Sequence, residues 1–362
     1  MIKYLGSKRT LVPVLGDIAS ASEATEAVDL FTGTTRVAQE FKRRGLRVLA
    51  NDIATYSEVL AQCYLATDPE VVDLQELKVA LAELNSLPGE PGYFTETFCE
   101  ASRYFQPKNG ARVDAIRNAI DDQYADSWMR PVLLTSLMLA ADRVDSTTGV
   151  QMAYLKQWAA RAHNDLELRL PDLIAGTGRA SRDDAVALAE KLPRTQLMYL
   201  DPPYNQHRYF TNYHIWETLI RWDSPETYGI ACKRIDSRDD ATKSLYNMKR
   251  RMPEEMRRLL LTINADLAVV SYNNESWIKP EEMMSTLRHA GYEDVRLLAF
   301  DYKRYVGAQI GIYNPSGEKV GRVSHLRNVE YLFLAGPTER VDVCAARVEH
   351  RALPKEPELT LF

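Results

Sequence analysis

Apolar and polar positions alternate between two periods along this chain. Glu26-Ala27-Val28-Asp29-Leu30-Phe31 is an apolar run that ends in Thr32-Gly33-Thr34-Thr35. Apolar residues then recur at helical spacing through Val37 and Phe41 to Gly45, a natural stop. Leu46-Arg47-Val48-Leu49-Ala50 follows at once and ends at Asn51-Asp52. Strand, tight turn, helix and strand within about 30 residues predict a βαβ unit with parallel strands. From Ser57 to Pro171 helical periodicity takes over: Val71 through Leu87, Pro131 through Ala141 and Tyr154 through Leu170. Polar interruptions fall at 88–92 and 145–149. This stretch reads as a helical insertion. Strand patterning resumes at Gln196–Leu200, which stops at Asp201-Pro202-Pro203-Tyr204. Further strands are predicted at Leu267–Tyr272, Val295–Asp301 and Val329–Leu334. No fixed-period repeat and no low-complexity tract stands out, and the Pro- and Glu-rich close from Arg351 to Phe362 is expected to be poorly ordered.

The 362 residues suit one elaborated domain or two joined ones, and 45% hydrophobic with 26% charged residues excludes a disordered or collagen-like chain. A net charge of −5 removes any global basic field, so a nucleic-acid partner has to be argued from local patches. Cys63, Cys99, Cys232 and Cys344 lie far apart with no metal-site or redox spacing, which predicts buried thiols and no metal. Neither a signal peptide nor a membrane span is recognisable, and a cytoplasmic protein is expected.

Asp201-Pro202-Pro203-Tyr204 is the sharpest chemical signal. At the carboxyl end of a strand, where open α/β sheets bind ligands, a carboxylate accepts from an amino group. The prolines stiffen the loop and present carbonyls, and a tyrosine stacks on a flat ring. A plain strand-ending turn is the bland alternative. The turn from Asp29 to Val37 carries one of the three glycines of a dinucleotide loop, and neither it nor Leu5-Gly6-Ser7-Lys8 is a phosphate P-loop. A nucleoside without pyrophosphate therefore suits it better, with Asp52 placed to hold ribose hydroxyls.

Together these features resemble the DNA adenine-N6 methyltransferases that carry an Asp-Pro-Pro-Tyr motif, in particular the modification enzymes of restriction systems. Lys3-Tyr4-Leu5-Gly6-Ser7-Lys8 is similar to the family's N-terminal cofactor motif, Asp29–Val37 to its glycine loop, and Asn51-Asp52 to its ribose-binding acid. Arg182-Asp183-Asp184-Ala185 is similar to its adenine-approaching acid, and Asp201–Tyr204 to its catalytic loop. The stretch from Asn205 to His214 and Ser271-Tyr272-Asn273-Asn274 extend the likeness, which covers nearly all of residues 1–335. Thr35 departs from the pattern, standing where a second glycine is common.

The resemblance implies a Rossmann-like α/β sheet of the S-adenosylmethionine-dependent methyltransferases with a mostly helical target-recognition insert. The catalytic domain would be 1–56 plus 176–340, the insert 57–175, and the tail 341–362. It implies S-adenosylmethionine as cofactor, held by Tyr4, Lys8, Asp29, Phe31, Gly33, Thr34, Thr35, Asp52, Ile53 and Asp184, the last preferred over Asp183 because it leads into Ala185. It implies in-line methyl transfer to the N6 amine of a flipped adenine in double-stranded DNA, with Asp201, Pro202, Pro203 and Tyr204 as the catalytic loop. A cognate restriction endonuclease is an implied partner, and a monomer is expected.

Candidate DNA contacts are Arg143, Lys156 and Arg161 in the insert, Arg208 and Tyr213 after the catalytic loop, and Lys233 and Arg234. The last two open a stretch to Arg258 with nine Lys and Arg against five Asp and Glu, a local +4. Tyr302-Lys303-Arg304-Tyr305 alternates bases with aromatics, and equally suits a strand end. Three alternatives stay open: methylation of the cytosine N4 amine, methylation of RNA or of a protein amide, and an inactive specificity protein that only binds DNA. A nicotinamide oxidoreductase is disfavoured by the missing glycine fingerprint.

Overall fold

The computed structural model describes residues 2–4, 6, 8–203, 206, 208–303 and 327–354. Among these the strands are β1 (Glu26–Asp29), β2 (Arg47–Asn51), β3 (Gly178–Ser181), β4 (Thr195–Leu200), β5 (Thr227–Tyr228), β6 (Lys233–Arg234), β7 (Ala265–Asn273), β8 (Asp294–Lys303) and β9 (Arg327–Gly336). The predicted βαβ unit is present: β1 and β2 run parallel, with Glu26 opposite Arg47 and Asp29 opposite Ala50. The helix between them, Arg36–Arg43, buries Val37, Ala38 and Phe41, one helical face, and the chain leaves it through Gly45 at φ +89°.

The main sheet has the order β3-β2-β1-β4-β7-β9-β8, while β5 and β6 form a separate antiparallel ribbon. Every pair from β3 to β7 is parallel, and β9 runs antiparallel to both its neighbours. From β1 the chain moves to one side for β2 and β3 and to the other for β4 and β7. The switch point is thus the β1–β4 seam, where the Leu30 N–H donates to the Tyr199 carbonyl at 3.1 Å. Open α/β sheets bind ligands outside the strand ends at such a point.

Strand residues alternate between two apolar layers, as a pleat with both faces covered requires. Leu197, Tyr199, Leu267 and Val269 point into one core with the helices Val12–Ala21, Arg36–Arg43, Thr55–Ala61, Arg130–Val144 and His214–Arg221. Met198, Leu200, Ala268 and Val270 point into the other, with the helices Ala185–Lys191, Met252–Thr262 and Pro280–His289. Each fully buried Val or Leu contributes about 1.5–3 kcal/mol, so a one-residue slip of a strand is strongly disfavoured.

Two expectations need correction. The stretch from Tyr154 to Leu170 is not a helix beyond the short turn Ala160–His163. It is largely extended, and two side-chain amides satisfy its backbone. Asn85 bonds both the N–H and carbonyl of Leu168, at 2.8 and 2.9 Å, and Asn109 accepts from Leu166 N–H at 3.0 Å. The helical stretch also holds a helix of 18 residues, Pro107–Tyr124, beyond the segments named for it. The supposed tail from residue 341 continues a helix, Thr338–Val348, whose Val341, Cys344, Ala345 and Val348 are buried in the first core. All four cysteines are buried free thiols. No helix among the described residues is long and apolar enough to cross a membrane.

Candidate active site

One cleft of about 290 Å³ opens at the switch point, and the segments singled out by sequence converge on it. Its first wall is the turn after β1. Thr32 N–H donates to the Asn51 carbonyl at 2.8 Å, Gly33 N–H to Asp52 Oδ2 at 2.8 Å, and Thr35 N–H back to the Thr32 carbonyl at 2.6 Å. Gly33 has φ +51°, and a Cβ there would meet the Tyr4 ring at 3.3 Å, so both backbone and space call for glycine. Thr35 has φ +63°, the left-handed region in which a β-branched residue is strained. Its hydroxyl is tied down, donating to the Thr34 carbonyl at 2.6 Å and accepting from Gln39 Nε2 at 2.8 Å. The loop therefore keeps a glycine-like conformation without the second glycine. Thr35 supplies no side-chain cap to the helix that follows, so its side chain does not compete for the first-turn N–H groups beside the cleft.

Two further segments complete this half. Asp52 accepts Gly33 N–H on Oδ2 and Ala54 N–H, at 3.0 Å, on Oδ1, which fixes the carboxylate while each oxygen keeps a lone pair for a hydroxyl. Burial raises its pKa above the usual carboxylate range. Ile53 beside it is 67% exposed, an apolar plate at the rim. Asn51 latches the third strand end into place: its amide donates to the Leu30 and Asp183 carbonyls and accepts the Asp183 N–H at 3.0 Å. Asp183 and Asp184 both line the cleft. Asp184 Oδ1 caps the helix Ala185–Lys191 by accepting from Val186 and Ala187, each at 3.0 Å. Lining groups of this kind suit hydroxyls, an amine and a flat ring.

The opposite wall is the end of β4. Asp201, Pro202 and Pro203 all line the cleft, and the Asp201 side chain is 18% exposed. The ammonium of Lys8 lies 3.0 Å from Asp201 Oδ1 and also contacts Glu330 Oε1, which accepts from the Ser271 hydroxyl at 3.2 Å. Burial pushes the Asp201 carboxyl up to about 6, against the opposing pull of Lys8. Asp29, 1% exposed at the end of β1, is pushed up to about 7, first by burial and then by the charge of Asp201. Its Oδ1 has no hydrogen-bond partner among the described residues.

Tyr4 stands between the two walls in a cluster of tyrosines. Its ring stacks on Tyr213 at 4.6 Å and Tyr209 at 5.4 Å, and its hydroxyl lies 3.5 Å from that of Tyr56. Phe31 meets Tyr246 edge-on at 5.3 Å, where the segment 241–247 passes across the cleft. Thr34 is buried in the turn and lines the cleft. Sequence reasoning missed Tyr56, Tyr209, Tyr246 and Glu330, because only packing brings them here. For Tyr209 a signal was present, since it falls within the stretch that extends the catalytic loop.

The expected DNA contacts divide. Tyr213 is fully buried and backs the Tyr4 ring, so it is not a surface contact. Arg234 is 1% exposed, with its guanidinium bound at 2.7 Å to both oxygens of Asp223 and at 2.8 Å to Asp236, so its charge is spent inside the protein. Arg161 is likewise engaged by Asp145 at 2.7 Å and the Thr147 carbonyl. Arg143 donates to the Glu167 carbonyl and lines a second cavity with Arg43 and Arg169. Lys156 and Arg208 are exposed and Lys233 half-buried. Tyr204, Arg304 and Tyr305 lie outside the described residues, as do the side chains of Tyr302 and Lys303.

Residues 4–286 match the model of the D12 class N6 adenine-specific DNA methyltransferase family. The chain is 30% identical over 329 residues to the type II methyltransferase M.FokI of Planomicrobium okeanokoites, covering 84% of this chain and 50% of that protein. With the modification methylase StsI of Streptococcus sanguinis it shares 30% over 328 residues, covering 84% and 49%. With the type II methyltransferase M.NlaIII of Neisseria lactamica it shares 28% over 319 residues, covering 84% and 92%. The chain thus spans about half the length of the first two relatives and most of the third.

Proposed function

The chain belongs to the D12 class of N6 adenine-specific DNA methyltransferases, and from that premise we propose that it methylates the N6 amine of adenine within one short sequence of double-stranded DNA. S-adenosylmethionine is the methyl donor, and the protein serves as the modification enzyme of a restriction–modification system. The observation that carries this reading is the meeting, in one cleft, of Asp201-Pro202-Pro203 with the Gly33 turn and Asp52.

The residues fit that cofactor. The two acceptor oxygens of Asp52 suit a ribose diol, Ile53 suits the face of an adenine, and the spare oxygen of Asp184 suits its amine. The Oδ1 of Asp29, without a hydrogen-bond partner among the described residues, suits a cationic group. When bound, S-adenosylmethionine supplies an electrophilic methyl on a sulfonium.

What the chain contributes is a grip on the nucleophile. The exocyclic amine of adenine is a poor nucleophile because its lone pair is delocalised into the ring. Hydrogen bonds donated by that amine to Asp201 and to the Pro202 carbonyl favour a tetrahedral nitrogen with an available lone pair. The Asp201 carboxylate also stabilises positive charge growing on nitrogen, a preorganised electrostatic effect. With Lys8 on Oδ1, Oδ2 remains for the substrate. Such a pocket cannot reach an amine inside a duplex, so the adenine flips out and stacks on Tyr204. Lys156, Arg208 and Lys233, with the exposed basic residues between Arg238 and Arg258, contact the DNA backbone.

The test is to express the protein in a host free of DNA methylation and sequence the host DNA by a method that reads modified bases. Adenine-N6 marks confined to one motif support the proposal and give the recognition site. Cytosine-N4 marks overturn the substrate, and unmodified DNA from a host making folded protein overturns the activity.

A further inference from the structure

We propose that Glu330 is a positioning residue for methyl transfer: it clamps the Lys8 ammonium against Asp201 and keeps the cluster of three charges one unit negative. The inference rests on reading Asp201 as the group that takes the substrate amine. Glu330 lies on β9, opposite Asn273 of β7 and 322 residues from Lys8, and no motif around it points to the site. Its side chain is 2% exposed, and that of Lys8 5%.

A lysine that served only to neutralise Asp201 would need no second acid. Burying another carboxylate carries a desolvation penalty unless it is paired. Here two carboxylates share one ammonium, which leaves one net negative charge in a largely buried site. An Asp201–Lys8 pair alone would present a neutral face to a nitrogen that becomes positive as its bond to carbon forms. With Glu330 present, Lys8 is drawn toward two acceptors, and once Asp201 is ionised the cluster as a whole stays negative toward the amine. The Ser271 hydroxyl holds the same Glu330 oxygen at 3.2 Å, which fixes the clamp from a neighbouring strand. The interaction strengthens only as charge develops, so it acts on the transition state more than on binding.

The groups facing Asp201 are Lys8, Glu330, Asp29 and Tyr199, from four different segments. The charge of Glu330 raises the Asp201 pKa, so its removal lowers it. The experiment measures steady-state methyl transfer by the full chain to duplex DNA carrying its recognition sequence, against pH, for wild type, Glu330→Gln and Glu330→Asp. Melting temperatures are taken alongside.

Glu330→Gln is expected to lower kcat by roughly ten- to hundredfold, less than the loss of a direct donor to the reacting group. KM for DNA and for S-adenosylmethionine should stay within about twofold, as expected for an interaction made in the transition state. The acidic limb of the profile should move to lower pH. Glu330→Asp keeps the charge and should leave the limb in place while lowering kcat less. If Glu330→Gln does not fold, Glu330→Asp still decides: a raised KM with unchanged kcat overturns the role. An active Glu330→Gln enzyme with unaltered kcat and limb overturns the role of Glu330 and leaves the function standing. A folded wild type that methylates no adenine overturns both.

Discussion

Asp29 carries a quantitative consequence for stability. Its carboxyl is buried at the end of β1 and pushed from 3.8 to about 7. As pH rises from 3.8, the unfolded chain gives up this proton while the folded chain retains it to about pH 7. The native state therefore binds more protons over that window, and stability falls with rising pH. At about 1.4 kcal/mol per pH unit, this one group lowers the unfolding free energy by about 2–3 kcal/mol between pH 5 and pH 8. Asp29→Asn keeps the shape and removes the titration. Urea unfolding of both proteins without cofactor, at pH 5 and pH 8, should show Asp29→Asn gaining on wild type by that amount. Asp201 and the other carboxylates titrate in both and largely cancel. A stability difference that stays constant between the two pH values would refute a protonated Asp29.

The same substitution tests why a destabilising acid is present. A cation brought into the cleft favours the ionised form of Asp29 and offsets its penalty. S-adenosylmethionine, which carries both a sulfonium and an ammonium, should therefore raise the melting temperature of wild type at pH 8 more than that of Asp29→Asn. An equal shift would detach Asp29 from cofactor binding. The predicted outcome is a variant that is more stable when empty and weaker when loaded, the usual trade at a functional site.

Asp201→Ala should keep the melting shift given by S-adenosylmethionine and lose about 10²–10³-fold or more in kcat. In wild type the Asp201 carboxylate is the working form, so methyl transfer should fall as pH drops below about 6, which a pH–rate profile checks. Gly33→Ala puts a side chain into a φ of +51° and against the Tyr4 ring. About 1–2 kcal/mol of strain is expected, read by calorimetry as weakened cofactor binding. Arg234→Leu takes from Asp223 the guanidinium that binds both its oxygens and leaves Asp236 to Arg221, 3.6 Å away; with both carboxylates partly exposed, it should lower the unfolding free energy by about 1–2 kcal/mol. It should leave the salt dependence of DNA binding unchanged, whereas Arg208→Ala should reduce that slope by about one.

The parts of the site that were legible in the sequence are those whose chemistry is local. Gly33 and Thr35 sit in a turn whose shape follows from strand-to-helix geometry, and Asp52 and Asp201 each end a strand that the apolar pattern marks. Parallel strands bring those ends to one edge, so reading the pattern correctly also assembles the first draft of the cleft. Tyr213 and Arg234 show where this fails. Tyr213 follows the catalytic loop and Arg234 opens the basic stretch, so both look like surface groups, but the helix His214–Arg221 is buried on nearly every face and draws its neighbours in with it. The extended stretch before Pro171 fails for a related reason: Asn85 and Asn109, far back in sequence, satisfy its backbone, and no periodicity encodes that. Glu330 is the extreme case. Its strand is legible as a strand, yet nothing local says that β9 enters the sheet antiparallel beside β7, and only that insertion carries an acid to Lys8. A charge cluster assembled from the N-terminal segment, the end of β4 and the last strand can be found only once the order of strands is known. The fold is thus what turns an otherwise ordinary buried glutamate into a candidate part of the chemistry.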